Sequence, residues 1–286
     1  MTLASVGDIY SRAREGGYGV AGFCAENLDI ILAILAAATE ARAPVVVTLW
    51  EEDIRSVGLG YLETIVRHGA GQIDIPVGIM LDHGTDLGSC LRSMVNGHTA
   101  VMIDASHRPL EQNVTLTRQV CDTAHLLGVL VEGELGTVRR TFDEAVGPFA
   151  ETTELTDPAL VADFVARTGV DALAVSIGTE SGIPARPPRL DYARLDRIAS
   201  QTTAYLAVHG GSGTRREDIR KAIDHGVTAF RFASEFRLAY LDALEAARSS
   251  FPPQYPDTRR IFEPAREAVK AAVLARIDDL GCGGKA

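Results

Sequence analysis

Short apolar runs rich in β-branched residues recur along the chain, at Val20–Ala25, Val45–Leu49, Val77–Leu81, Ala100–Ile103, Gly128–Val131, Ala172–Ile177, Ala204–Val208 and Ala229–Phe232. They are continuous rather than alternating, which is the pattern of strands covered on both faces in a parallel sheet. Helical patterns separate them. Asn27–Arg42 sets Leu28, Ile31, Leu32 and Leu35 along one side, and Glu217–His225 runs from a Thr/Arg-rich turn to a stop at Gly226. Eight such strand–helix units in 286 residues predict an α/β protein, a (β/α)8 TIM barrel forming a single domain over residues 1–286. A doubly wound open sheet would want a glycine-rich phosphate turn after its first strand, where this chain has Phe23-Cys24-Ala25-Glu26. The connection Gly136–Asp157 is too long for an ordinary βα loop and reads as a mobile lid.

Composition narrows the partners. The formal net charge is −10, and an acidic surface argues against nucleic acid or an anionic membrane while leaving room for a small anionic ligand. Four cysteines without a CxxC pair, no signal-type N-terminus and no apolar run of membrane-spanning length give the expectation of a soluble, cytoplasmic protein.

Reactive side chains of such barrels stand at the C-terminal ends of the strands. Here those ends read Asp82-His83-Gly84, Asp104-Ala105-Ser106-His107, Glu132-Gly133-Glu134, Gly178-Thr179-Glu180-Ser181, His209-Gly210-Gly211-Ser212-Gly213 and Arg231-Phe232-Ala233-Ser234. His83 and His209 with Asp104 and Glu134 form a candidate divalent-metal set, suited to Zn²⁺, Mn²⁺, Fe²⁺ or Co²⁺. The alternative is that they hydrogen-bond one another without metal. The HGGSG run offers backbone N–H groups as an anion cradle, with Ser212 and Ser234 as hydroxyl donors and Arg231 as a bidentate partner or an internal ion pair. His68, His98, His107, His125 and His225 read as surface residues.

The strings GYGVAGF, LDHG, VMIDASH, VEGELGT, TGVDALAVSIGT and LAVHGGSG together resemble the class II, metal-dependent fructose-bisphosphate and tagatose-bisphosphate aldolases, nearly end to end. The resemblance implies a zinc enzyme that cleaves a ketose phosphate. It makes Asp82 the proton donor and acceptor, His83 and His209 zinc ligands, and Asp104 and Glu134 neighbours of the metal. Gly210, Gly211 and Ser212 would bind the phosphate. It also implies a homodimer or homotetramer, with the helix Glu263–Leu280 at the interface.

Other positions depart from the family's pattern. The family's third zinc-binding histidine is Ser181 here, preceded by Glu180, which could assist a two-histidine, one-carboxylate set or leave the site without metal. Phe142 stands at the lid glutamate, with Asp143 or Glu144 as substitutes and Arg139 and Arg140 nearby. Cys24 and Trp50 replace an asparagine and a serine, and Trp50 would narrow the pocket or stack on a ligand. Three readings follow: a divergent class II-type lyase for a small anionic, phosphorylated or keto substrate; a metal-free lyase or isomerase with Arg231 as electrophile; or a non-catalytic anion-binding protein.

Overall fold

A computed structural model describes residues 3–138, 153–251, 254 and 257–286. Eight parallel strands close a barrel in chain order: β1 Val20–Cys24, β2 Val45–Trp50, β3 Val77–Gly84, β4 Ala100–Ile103, β5 Leu130–Leu135, β6 Ala172–Val175, β7 Tyr205–Val208 and β8 Val227–Phe232. The helices are α1 Val6–Gly16, α2 Leu28–Ala41, α3 Glu51–Val57, α4 Tyr61–Ala70, α5 Leu87–Val95, α6 Leu110–Ala124, α7 Pro158–Thr168, α8 Tyr192–Ala199, α9 Arg216–Asp224, α10 Ser234–Ser250 and α11 Thr258–Leu280. The continuous apolar runs are strands buried on both faces, as expected of a sheet sandwiched between its own interior and a ring of helices. Among the described residues no helix is long and apolar enough to cross a membrane.

Local chemistry sets the helix ends. The Asn27 side chain accepts the Ile30 N–H at 2.9 Å to start α2, and Asp86 accepts the Ser89 N–H at 2.7 Å to start α5. The N-terminal helix α1 lies across the bottom of the barrel. Ala4 N–H bonds the Val77 carbonyl at 2.8 Å, Tyr10 packs edge-on against Tyr205 at 5.5 Å, and Val6 fills the space where Gly78 lacks a side chain.

Several expectations shift. α11 begins at Thr258 rather than Glu263 and packs on α2, α9 and α10 of its own chain, so burying its apolar face needs no second subunit. His98 is not a surface residue: it is 2% exposed, and burial holds it neutral, with a pKa lowered to about 4. Its ring bonds the Ser93 carbonyl at 2.9 Å because the turn at Gly97 folds it back under α5. β3 runs on through Gly84, and β5 occupies Leu130–Leu135 rather than Gly128–Val131. Both shifts move acidic residues from expected loops into the strands.

The barrel interior holds a charge. Arg231 of β8 is 5% exposed and crosses to Glu132 of β5. Gly22 of β1 makes room for it, since a Cβ there would lie 2.6 Å from Arg231 Cδ and 2.9 Å from Thr48 Cγ2. Gly22→Ala is therefore expected to lower stability by ~1–3 kcal/mol in urea unfolding, the usual cost of overpacking. An unchanged midpoint would mean that Arg231 can step aside without loss.

Candidate active site

The site is built where β3, β4, β5 and β7 reach the C-terminal rim. Consecutive strand residues face opposite sides, so Asp82 and His83 should not both enter the barrel mouth. They do, because β3 loses register with β4 between Leu81 and Gly84 and His83 adopts a left-handed backbone, φ 49°. A non-glycine residue there bears strain of order 1–3 kcal/mol, retained only where the surroundings enforce it. On β5 the spacing does the work unaided. Glu132 and Glu134 are two apart, share one face, and are both buried.

The polar groups form a chain. Asp104 Oδ1 accepts the Ser106 backbone N–H and hydroxyl at 3.2 and 2.7 Å, while Oδ2 lies 2.8 Å from His83 Nδ1. His83 Nε2 lies 3.0 Å from His209 Nδ1, and His209 Nε2 lies 2.8 Å from Glu132 Oε1. Glu132 Oε2 accepts from Arg231 Nη2 at 2.5 Å. Burial works to raise the Glu132 pKa, but Arg231 and the His209 hydrogen bond outweigh it and hold the carboxylate ionised. Tyr10 sits beside the guanidinium, short of hydrogen-bonding geometry, and burial pushes its hydroxyl up to about 12.

This chain fixes the imidazole tautomers. Ionised carboxylates only accept, so beside ionised Glu132 it is His209 Nε2 that carries a hydrogen, and with Asp104 ionised His83 Nδ1 carries one in the same way. His83 Nε2 and His209 Nδ1 then present lone pairs to each other, an arrangement that repels unless a proton or a cation joins them. A carboxylate behind each imidazole is how metal-binding histidines are oriented. Asp82 Oδ1 is 3.8 Å from His83 Nε2, and Asp82, His83 and His209 bring ligand atoms within 4.8 Å of one another. The residues fit a divalent ion.

The expected single metal set is divided. Asp104 and Glu134 form a second group with His83, but around Nδ1, on the far side of the ring from Nε2 and His209. Glu180 joins neither group, since its side chain is exposed while its backbone packs against Gly210. Ser181 lines the pocket where the family's third histidine was sought. Arg139, Arg140, Phe142, Asp143 and Glu144 lie outside the described residues.

A cleft opens over the histidines, lined on one side by Gly210, Ser212 and Ser234 and on the other by Cys24, Trp50 and Arg237. Gly211 does not line it, because its N–H is bonded to the Arg231 carbonyl at 2.9 Å. The Ser212 hydroxyl receives the Ala233 and Glu235 N–H groups at 3.3 and 3.5 Å, which ties the HGGSG turn to the first turn of α10. The N-terminal end of this 17-residue helix thus borders the cleft and favours an anion there. Arg231 contributes to the floor, and its Nη2 is engaged by Glu132 and by Met80 Sδ at 3.1 Å, an ion pair inside the barrel mouth. Arg186 is exposed.

Glu132, Glu26, Asp53 and Arg237 are participants that sequence reasoning did not single out. Arg237 Nε bonds Glu26 at 2.5 Å and Nη2 reaches Asp53 at 3.4 Å, with the guanidinium 5.8 Å from the centre of the Trp50 ring. The Cys24 thiol donates to Asp53 at 3.8 Å. Burial lifts Asp53 to about 7 against the pull of Arg237, and lifts the Cys24 thiol well above its usual range, so Cys24 stays neutral.

A histidine–carboxylate cluster at the C-terminal rim of a parallel barrel, beside a helix N-terminus, is the layout of a barrel enzyme acting on a small anion. The model of the family "Fructose-bisphosphate aldolase class-II" matches residues 4–285. The chain is 38% identical to the fructose-bisphosphate aldolase of Geobacillus stearothermophilus over all of its own length and 99% of that protein, and 35% identical to the probable fructose-bisphosphate aldolase of Bacillus subtilis over the whole of both. Among solved structures it superposes on the YdjI aldolase from Escherichia coli K12 with a TM-score of 0.87, at 28% identity and full coverage of both chains. It matches a putative fructose-1,6-bisphosphate aldolase from Coccidioides immitis with a TM-score of 0.88, at 27% identity, over 97% of this chain and 96% of that one. The chain belongs to the class II fructose-bisphosphate aldolase family. It is a lyase of the aldolase type, and the non-catalytic reading falls away.

Two outcomes follow from the geometry. His83→Gly relieves the left-handed backbone while His83→Ala keeps it, so the glycine variant is expected to melt at the higher temperature, by about 1 kcal/mol of stability. Equal melting would show that β3 imposes no strain. The raised pKa of Asp53 favours its protonated form in the fold, so this contribution to stability is complete below pH 3.8 and is lost as pH rises through about 7. Asp53→Asn should therefore gain on the parent protein across that interval in denaturation curves, whereas a constant difference would mean that Asp53 titrates normally.

Proposed function

We propose that the chain cleaves, and in reverse forms, the carbon–carbon bond of a small ketose carrying an anionic, phosphorylated end, with His83 and His209 holding a divalent ion beside Asp82. The observation that carries this reading is the pair of facing imidazole nitrogens, 3.0 Å apart, each backed by a carboxylate. Zn²⁺ is the first choice by family; two imidazoles and an oxygen also suit Mn²⁺, Fe²⁺ or Co²⁺. Bound there, the ion supplies Lewis-acid polarisation of the ketone oxygen.

The chain's own residues do the rest. The Ser212 and Ser234 hydroxyls and the α10 N-terminus seat the anion beside the histidines, which fixes the carbonyl carbon in one place. Asp82, 7% exposed and bordering the same cleft, takes the proton from the hydroxyl of the carbon that becomes the aldehyde as the bond to it breaks. The released electron pair is left on the anchored fragment as an enediolate. In the condensing direction Asp82 returns that proton. Glu134 and Asp104 orient His83, and Glu132 orients His209. The proton that quenches the enediolate has no carrier among the described residues, and Asp143 remains our candidate for it.

All four cysteines are free thiols, which supports a reducing, cytoplasmic setting. We also expect a homodimer or homotetramer that covers the exposed Leu238 and Leu241 of α10 and Phe262 of α11. A monomer mass by light scattering would remove that expectation.

Protein purified without chelator should carry close to one equivalent of transition metal, lost in the His83→Ala, His209→Ala double variant. Glu132→Gln should weaken metal affinity ~10–100-fold, the usual effect of losing a carboxylate behind a ligand histidine. Asp82→Asn should keep the metal and lower kcat by ~10²–10⁴. Failure of Zn²⁺, Mn²⁺ and Co²⁺ all to bind on reconstitution would sink the metal-assisted reading.

A further inference from the structure

The two walls of the cleft differ in charge. On the β7–β8 side, hydroxyls and a helix N-terminus border the cleft. On the β1–β2 side the polar groups are already matched to one another. Among the described residues Arg237 is the cation of that wall, and it is held by Glu26 at 2.5 Å and reached by Asp53 at 3.4 Å. The Glu26 and Asp53 side chains keep 31% and 13% exposure and that of Arg237 keeps 25%, so a guest at this rim meets a guanidinium already matched by the Glu26 carboxylate, with Asp53 beside it. Cys24 adds a neutral thiol, and Trp50 an indole that pairs in register with Asp82 on the adjoining strand. The group that departs from Asp82 as an aldehyde therefore leaves past Trp50 and Cys24 with, among the described residues, no uncommitted cation at its end.

We propose that the substrate is anionic at one end only: a ketose monophosphate, or a similar keto compound with one terminal anion, whose departing aldehyde is short and uncharged and lies against Trp50 and Cys24. This rests on the aldolase reading above and adds the substrate class. A second phosphate on the aldehyde end would have to displace Glu26 from Arg237 and would sit beside Asp53. That displacement opposes its binding, because removing a partner from a charge-assisted pair leaves the Glu26 carboxylate uncompensated beside the incoming phosphate. The physical content is discrimination by like charge rather than by size.

The test compares metal-reconstituted enzyme acting on fructose 1-phosphate and fructose 1,6-bisphosphate, which release the same dihydroxyacetone phosphate and can be read in one coupled assay. The expected result is a kcat/KM at least about tenfold higher for the monophosphate. In Glu26→Gln, Asp53→Asn protein, where Arg237 is freed, that preference should shrink or reverse. A bisphosphate kcat/KM equal to or above the monophosphate value in the parent protein overturns the proposal while leaving the aldolase reading intact. If neither sugar is cleaved, the aldolase reading fails on these substrates, and calorimetric binding of the two sugars decides the proposal alone: tighter binding of the monophosphate upholds it, and tighter or equal binding of the bisphosphate ends it.

Discussion

One buried carboxylate ties the interior of this barrel to its chemistry. Glu132 gives one oxygen to His209 and the other to Arg231, and is itself wholly removed from solvent. An ionised carboxylate in such a place is tolerable only with full compensation, and the pair is strongly destabilised when either partner is lost. The same contact that makes Arg231 acceptable inside the barrel therefore fixes the His209 tautomer. Through His209 it sets which nitrogen faces His83, and through His83 which nitrogen faces Asp104. Fold and site are not separable along this line. The glycine at position 22, the methionine at 80 and the tyrosine at 10 all shape the space around one guanidinium.

Much of the architecture was legible before any coordinates. The continuous apolar runs gave eight parallel strands because burial on both faces leaves little room for polar residues. The strand ends then pointed to His83, His209, Asp82, Asp104 and Glu134, all of which the structure brings to one rim. Arrangement within that set was not legible. A metal set written as one list becomes two groups on opposite sides of the His83 ring, and that division depends on a left-handed residue in β3. Glu132 was hidden by the boundary of β5. Counted as loop it was one more rim acid, but counted as strand, its spacing of two from Glu134 puts it inside.

The acidic and basic residues of the β1–β2 wall illustrate a different limit. Glu26, Asp53 and Arg237 are far apart in sequence, carry no spacing pattern, and read singly as solvated charges. Only closure of the barrel, which seats β8 beside β1, makes them neighbours. Once assembled, they remove from the pocket a cation that composition alone would have assigned to substrate.

The long connection between β5 and β6 is closed at its base by the barrel itself. Thr137 and Glu154 pair as a two-residue antiparallel bridge, Thr156 bonds both the Leu135 carbonyl and the Ser176 N–H, and Gly136 leaves the space that Thr156 fills. With its stems clamped, the cost of closing that loop depends only weakly on how many residues lie between them. Length and sequence there can drift without any bearing on whether the barrel forms. The mouth of this barrel can therefore change by insertion or deletion between the stems, provided that the clamp is kept.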